Sequence, residues 1–509
     1  MNYLNVSKAS DLKDKKERFV YRLFEILPGF LSFGTLFFAV FFSWKEPVLV
    51  GIFIILFDIY WILKLLYLSF HQISTFLKMQ KNLKRDWQKE IEKFPDWKKI
   101  YHLIILPFYK EGKEIIEDSL NSLLKTNYPK DKMIVVLSGE ERVKERAEKI
   151  GEELEKEFSG KFFKFLFLLH PSNIPGEIPC KGSNFNFALK KAIEKIIKPL
   201  NLSPENVIVS NFDVDTRPYP DYFLCLTFTY LATKKRERAS YQPIPLFNNN
   251  IWEAPAFSRV VAISASFWQM MQQERPDALV SYASHSIPLS VLEKIDYPYN
   301  VVSDDSRIFW KTFLFYNGDY RVIPLFYPVS MDAVVGKNFC QTIINQYRQQ
   351  RRWAWGCNDI PFVLFGFLKN KNIPLSKKLW HSFNIIEGFW NWATASLMIA
   401  FLGWLPLLLG GKEFNVTLFS YNLPRTTRNL MTLAMFGMLI GSFLSFLLLP
   451  KREKNYKRSF LISFFAQWLL LPFCLIIFGS IPALDAQLRL LFGKYLGFWS
   501  TEKVRKHVS

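Results

Sequence analysis

Asp213 and Asp215 stand one residue apart at the end of the apolar run in NVIVSNFDVDTRPYPDYF. In open α/β sheets the carboxyl ends of the strands face the ligand crevice, so this spacing aims two carboxylates at a substrate. Mg²⁺ and Mn²⁺ take oxygen ligands and are commonly held by one or two carboxylates plus substrate phosphates. The pair reads as a seat for such an ion on a nucleotide diphosphate, against the blander reading of an acidic turn after a strand. Ser303-Asp304-Asp305 is a second acidic set, lying between the turn-rich YPYN and the apolar-basic RIFWK. A sugar hydroxyl that attacks an anomeric carbon needs a general base within hydrogen-bond reach, and Asp305 is the candidate. Ser303 or Asp304 also suits a helix N-cap, a role compatible with catalysis. The third set is QYRQQRRWAWG, which spaces Gln349, Arg352 and Trp353 as QxxRW. A guanidinium can clamp a departing diphosphate and an indole face can stack on a sugar ring. Arg348, Arg351 and Trp355 are better explained by a basic-aromatic helix at a membrane interface.

Strands must carry these groups. IYHLIILPF, KMIVVLS, FFKFLFLLH and NVIVSNF, at 100–108, 132–138, 162–170 and 206–212, are short runs rich in Ile, Val, Leu and Phe. They alternate with helical stretches such as EERVKERAEKIGEELEKEF, which predicts an α/β domain with a mostly parallel sheet and helices on both faces.

Half of the 509 residues are hydrophobic and 17% aromatic, yet 22% are charged. That balance fits a polar domain set among membrane spans. Residues 27–44 and 47–70 are each near the ~20 apolar residues that a spanning helix needs, and further apolar runs lie at about 384–410, 429–449 and 459–483. Five spans are expected. The net charge of +20 gathers beside apolar runs, as at Lys451 to Arg458, which favours an anionic membrane surface over nucleic acid and puts the catalytic domain at the cytoplasmic face of the cell membrane. The last span then leaves the basic tail outside, unless Pro472 and Pro482 mark a broken segment. Asp58, Trp390, Asn391 and Trp392 are the few span residues suited to a polar path, and core packing accounts for the two tryptophans equally well. Five scattered cysteines without a CxxC pair give no disulfide framework or zinc site. The layout is a basic arm at 1–26, two spans within 27–70, an amphipathic interfacial helix at 71–97 and a catalytic domain at 98–360. An interfacial segment at 361–383, about three spans within 384–483 and a basic tail at 484–509 follow.

The order of two spans, DxD, a second acidic pair, QxxRW and further spans resembles the membrane-bound family 2 glycosyltransferases, the superfamily of cellulose and hyaluronan synthases. The resemblance is close over 98–360 and extends to the spans by layout. It implies a GT-A nucleotide-sugar domain, inversion at the anomeric carbon, and a base at the second aspartate of the acidic triplet, here Asp305 in SDD where TED is usual. It implies donor contacts from Lys181 and Asn186 of KGSNFNFAL and from Arg352, and places Asp304, Gln349 and Trp353 on the acceptor side. Gln242 in ASYQPIP matches the strand that follows the DxD. LSGEER stands where the family has an aspartate at the nucleobase, so Glu140 or Glu141 substitutes for it or backbone groups hold the base. The stretch from Glu253 to Ser281 looks like an insertion, whose apolar content suits a membrane-facing amphipathic helix. The implied function is metal-dependent transfer of a sugar from a nucleotide-sugar donor to a polysaccharide or lipid-linked acceptor. A transporter or non-catalytic scaffold is the reading from another class. Five spans without an inverted repeat speak against the first, and three intact charged motifs against the second.

Overall fold

A computed structural model describes residues 2–450, 459–497, Trp499 and Arg505. The basic segment 451–458, with Lys503 and Lys506 of the tail, lies outside the described residues, and so does the sidedness expected of both.

Eight strands form one mixed sheet in the order β3-β2-β1-β4-β7-β6-β8-β5. They are β1 (Tyr101–Pro107), β2 (Met133–Glu140), β3 (Lys164–His170), β4 (Val207–Asn211), β5 (Arg217–Pro218), β6 (Ala239–Leu246), β7 (Ser286–Pro288) and β8 (Arg321–Ser330). The first four pair in parallel, β3 on β2, β2 on β1 and β1 on β4, within two residues of the apolar runs that predict them. Beyond β4 the sheet changes character. β7 runs antiparallel to both β4 and β6, while β8 returns parallel to β6. The sheet is mixed, with β7 and β5 reversed against six strands that run the same way, in keeping with the mostly parallel sheet that the sequence predicts.

Alternation along each strand feeds two cores. Leu103 and Ile105 of β1 face one layer and Ile104 and Leu106 the other, all four fully buried. Before the sheet come α1 (Lys15–Lys45), α2 (Pro47–Leu83) and α3 (Trp87–Ile91). Helices α4 (Lys113–Leu124) and α5 (Lys144–Phe158) cover one face, and α6 (Lys181–Ala192) covers the other. In α5 the residues Ala147, Ile150, Gly151, Leu154 and Phe158 are buried, the stripe of an amphipathic helix, while its polar face stays in solvent. The chain continues through α7 (Tyr222–Ala232), α8 (Ala256–Gln273), α9 (Leu289–Leu292), α10 (Asp304–Phe315), α11 (Phe339–Ala354), α12 (Asp359–Lys369) and α13 (Leu375–Phe401).

Among the described residues five helices are long and apolar enough to cross a membrane: Lys15–Lys45, Pro47–Leu83, Leu375–Leu409, Leu418–Leu447 and Ile462–Leu491. Three segments differ from their expected surroundings. The amphipathic stretch after residue 70 continues α2 without a break to Leu83, where Asn82 donates to the carbonyls of Leu325 and Phe326 and pins the helix to β8. Helix α8 is largely enclosed: Val260, Ile263, Phe267 and Met270 are buried, packed in part against Leu444, Phe464, Trp468 and Phe478 of the last two membrane-length helices. The interfacial segment expected at 361–383 begins inside α12, whose Ile360, Phe362, Val363 and Phe367 belong to the sheet core. The N-terminal arm is also docked. Leu4 and Val6 are buried, and the carbonyls of Asn5, Val6 and Ser7 accept from Asn300, Arg307 and Asn358.

Candidate active site

Four elements converge at the carboxyl end of β4. The strand carries Asn211 and runs on to Asp213 and Asp215, α6 begins at Lys181, α10 begins at Asp304, and the turn before β7 carries His285. The start of α6 approaches α10 so closely that a Cβ on Gly182 would lie 2.3 Å from the Pro298 carbonyl and 2.7 Å from Asp304 Cβ. Only glycine fits there, and this approach delivers the neighbouring lysine to the acidic residues.

Lys181 Nζ lies 2.5 Å from Asp213 Oδ1 and 3.5 Å from Asp305 Oδ1, so one ammonium bridges the two acidic motifs. Burial works against its charge, but Asp213, Asp305 and Asp304 outweigh burial and raise its pKa. Asp305 is 28% exposed and reachable, with Tyr297 Oη and Asn211 Nδ2 each 3.4 Å from its Oδ1. Asp304 is buried. Burial first, then the charge of Asp305, pushes its carboxyl well above the usual range. His285 is fully buried, its ring stacked against Tyr297 at 6.1 Å and its Nδ1 2.7 Å from the Tyr282 carbonyl. That contact assigns the proton to Nδ1 and leaves Nε2 an acceptor, and burial lowers the pKa. Ser284 beside it has φ +64°, a left-handed conformation costly for a residue with a side chain. Its Oγ lies 2.9 Å from Thr216 Oγ1.

The DxD carboxylates are not equivalent. Asp213 opens to the site at 29% exposure, whereas Asp215 is buried and accepts the backbone N–H of Asp332 at 2.8 Å. Asp332 in turn lines a small gap with Phe247, Gln346, Gln349 and Trp353, which joins the QxxRW segment to the DxD side. The Trp353 ring packs 5.7 Å from Phe247. Arg505 closes the same edge, donating to both carboxylate oxygens of Asp332 and to Asp118. Among the described residues no three His, Cys, Asp or Glu side chains form a metal cage. Two aspartates at a strand end fit an ion that shares its shell with substrate phosphates rather than one held by protein alone.

The other expected residues sit apart from this centre or face inward. Asn186 is buried on α6, and its Oδ1 has no hydrogen-bond partner; the same is true of Asn184 Oδ1, Asn211 Oδ1 and His285 Nε2. Glu140 ends β2 and is held by Arg142 and by His170 at 3.4 Å, while Glu141 accepts from Ser172 N and Oγ. Both carboxylates are engaged by neighbouring groups of the protein. Arg352 leads into Trp353 at the end of α11. Trp355, expected at a membrane interface, is 2% exposed in the sheet core, because a tight turn after α11 swings it inward. Arg351 pairs instead with Asp485 of the membrane-length helix Ile462–Leu491 at 2.8 Å. His285, Tyr297, Asn211, Asp332 and Arg505 were not singled out by the sequence, although SHS and YPYN contain the first two.

No family profile matches the sequence, and no curated protein matches it. Among solved structures the chain is similar to the mannosyltransferase PcManGT from Pyrobaculum calidifontis in complex with GDP-Man and Mn2+. The identity is 15% and the TM-score 0.39, over 87% of this chain and 100% of that one. S. aureus TarS in complex with UDP follows at 13% identity and TM-score 0.34, over 68% of this chain and 91% of that one. A further TarS structure matches at 12% and 0.33, over 70% and 56%. Likenesses this distant leave the activity to be argued from the site.

Proposed function

We propose that this chain is a membrane-embedded glycosyltransferase of the family 2, GT-A type, which moves a sugar from a nucleotide-sugar donor to a polysaccharide or lipid-linked acceptor at the cytoplasmic face. The observation that carries this reading is the Lys181 ammonium held between Asp213 and Asp305. It puts a buried cation beside both the group suited to a metal-diphosphate and the group suited to a proton.

Asp213 and Asp215 are the residues to hold a divalent ion, which when bound neutralises diphosphate charge. Asp305 takes the proton from an acceptor hydroxyl as its oxygen bonds to the anomeric carbon. The bond from that carbon to the diphosphate oxygen breaks on the opposite side, which inverts the centre. Lys181 and Arg352 stabilise the charge that collects on the leaving oxygen. The orphaned acceptors Asn184 Oδ1, Asn186 Oδ1 and His285 Nε2 suit the hydroxyl groups of a sugar, since buried polar atoms without partners are costly. Gln349, Trp353 and neutral Asp304 supply the acceptor side.

The reading is tested by nucleoside diphosphate release across a panel of UDP- and GDP-sugars with Mn²⁺ or Mg²⁺. Release from one donor, lost on chelation and restored by metal, is expected. Silence across the whole panel, or turnover indifferent to chelation, contradicts it.

A further inference from the structure

Two membrane-length helices present matched polar stripes to each other. On α2, Tyr60, Lys64, Tyr67 and His71 recur at the spacing that keeps side chains on one helical face. On α13, Asn384, Glu387 and Asn391 do the same. The stripes are joined by side chains: Lys64 Nζ lies 2.6 Å from Glu387 Oε1, Tyr60 Oη 2.5 Å from the same oxygen, and Asn391 Nδ2 3.0 Å from Tyr60 Oη. Lys64 lies eleven residues before Thr75, about 17 Å along the helix. Thr75 is the point at which α2 is fastened to the sheet domain through the Met270 carbonyl.

Below this cluster, on the domain side, stands Arg275. Its Nη2 donates to Asn384 Oδ1 at 3.2 Å and its guanidinium lies 6.0 Å from the Tyr67 ring, so it spans both helices. Its other contacts are Gln272 and Met271, and it forms no ion pair among the described residues. Lys64 spends two of its three N–H groups, on Glu387 and Tyr60. The cleft thus carries two cations against one carboxylate. Its rims are apolar and open outward, with Leu63 61% and Phe383 65% exposed. A half-buried cation without a counter-ion at the edge of a span calls for an anion, and apolar rims call for acyl chains.

The loop that begins at Arg275 leads to the candidate base. Six residues on, Ser281 Oγ donates to the Asp305 carbonyl at 2.7 Å, and Tyr282 packs edge-on against Trp268 of α8 at 4.8 Å. Six residues reach at most about 21 Å, a span that a short glycan on a lipid head covers. We infer that the α2–α13 cleft binds the phosphate head of a membrane lipid, with Arg275 and Lys64 as its cations, so that a sugar carried on that lipid is presented to Asp305. The inference rests on the transferase reading for the role of the lipid, but the binding itself is independent of turnover.

The test titrates the full chain in neutral detergent with dioctanoyl phosphatidic acid, dioctanoylglycerol and inorganic phosphate, with adducts counted by native mass spectrometry. Phosphatidic acid is expected to bind at least tenfold more tightly than either of the others. Arg275→Gln is expected to weaken it at least tenfold and Arg275→Lys to restore it. Asn384→Glu, which sets a carboxylate against Arg275, weakens it likewise, so the test does not hang on one variant. Lys45→Gln, at the far end of α1, binds as the wild type does. Equal binding of the two lipids, free phosphate binding as well as the lipid, or undiminished binding in both Arg275→Gln and Asn384→Glu overturns the inference. Asp305→Asn keeps phosphatidic acid binding if the inference holds, and wild-type chain that binds the lipid but transfers no sugar from any donor counts against the transferase reading alone.

Discussion

At the start of α10 two neighbouring carboxylates, Asp304 and Asp305, stand in unlike environments. Asp304 is buried against Gly182 and Tyr297, and burial keeps it protonated, while Asp305 stays open beside Lys181. A carboxyl whose folded pKa is raised stabilises fully below its unfolded value, near about 3.9, and loses that contribution as pH rises through the folded value. Asp304→Asn is therefore expected to flatten the fall in melting temperature from pH 4 towards 8 that the wild type shows, read by thermal unfolding in detergent. An unchanged slope would mean that Asp304 ionises freely. The sequence shows this pair as acidic residues at a helix start, but not which one is buried. That depends on Gly182, more than a hundred residues away in the chain. His285 is less legible still. A lone histidine between two serines carries no signal in the sequence, and only its contact with the Tyr282 carbonyl and its place beside Asp305 mark it.

The elements that hold the site are tied by buried charge. Arg307 of α10 bonds Asp359 of α12 at 2.7 Å, both almost fully buried, and Ser306 Oγ adds a bond at 2.5 Å to the same carboxylate. Removing one partner of such a pair strands the other, so Asp359→Ala is expected to cost about 3–5 kcal/mol in the domain's unfolding free energy. A cost below about 1 kcal/mol would show that the pair is not what fixes α10. Lys311, one turn further along α10, is buried, which lowers its pKa to about 8 although the Asp296 carbonyl accepts its proton at 2.9 Å. The charge penalty is complete below pH 8 and disappears as pH rises towards the unfolded value near about 10.4, so stability climbs across that window. Lys311→Met is expected to raise unfolding stability at pH 7 by up to about 3 kcal/mol, a gain that vanishes by about pH 10.5. No gain at pH 7 would contradict the burial. Strands β1 to β4 are legible because residues covered on both faces form unbroken apolar runs. Helices α8 and α12 are not, since an amphipathic pattern is the same whether its apolar side meets lipid or protein.

At the scale of the molecule, the sheet domain and the membrane-length helices pack against each other. α2 passes from membrane-length apolar helix into a domain contact without a break, and the chain's first residues lie against α10 and α12. Val6 supplies the carbonyl that accepts from Arg307 Nη1 at 3.2 Å, so the N-terminal segment completes the charged cluster behind Asp305. Deletion of residues 2–12 is expected to lower the melting temperature and to expose α10 to limited proteolysis. An unaltered melt and digest would show that the segment is dispensable. The apolar runs are legible as helices of membrane-crossing length because length and composition alone define that property. The docking of the arm is not, because four apolar residues within a basic stretch give no partner.

The central claim is that Asp305 removes the acceptor proton while Asp304 and Asp213 do other work. It is tested most directly by the rate of nucleoside diphosphate release for the wild type, Asp305→Asn and Asp304→Asn, with the same donor, acceptor and metal. Loss of a general base costs about 10²–10⁴-fold in rate, so Asp305→Asn is expected to fall by that factor while donor binding persists and Asp304→Asn stays within a few-fold of the wild type. Equal rates for wild type and Asp305→Asn would contradict the account.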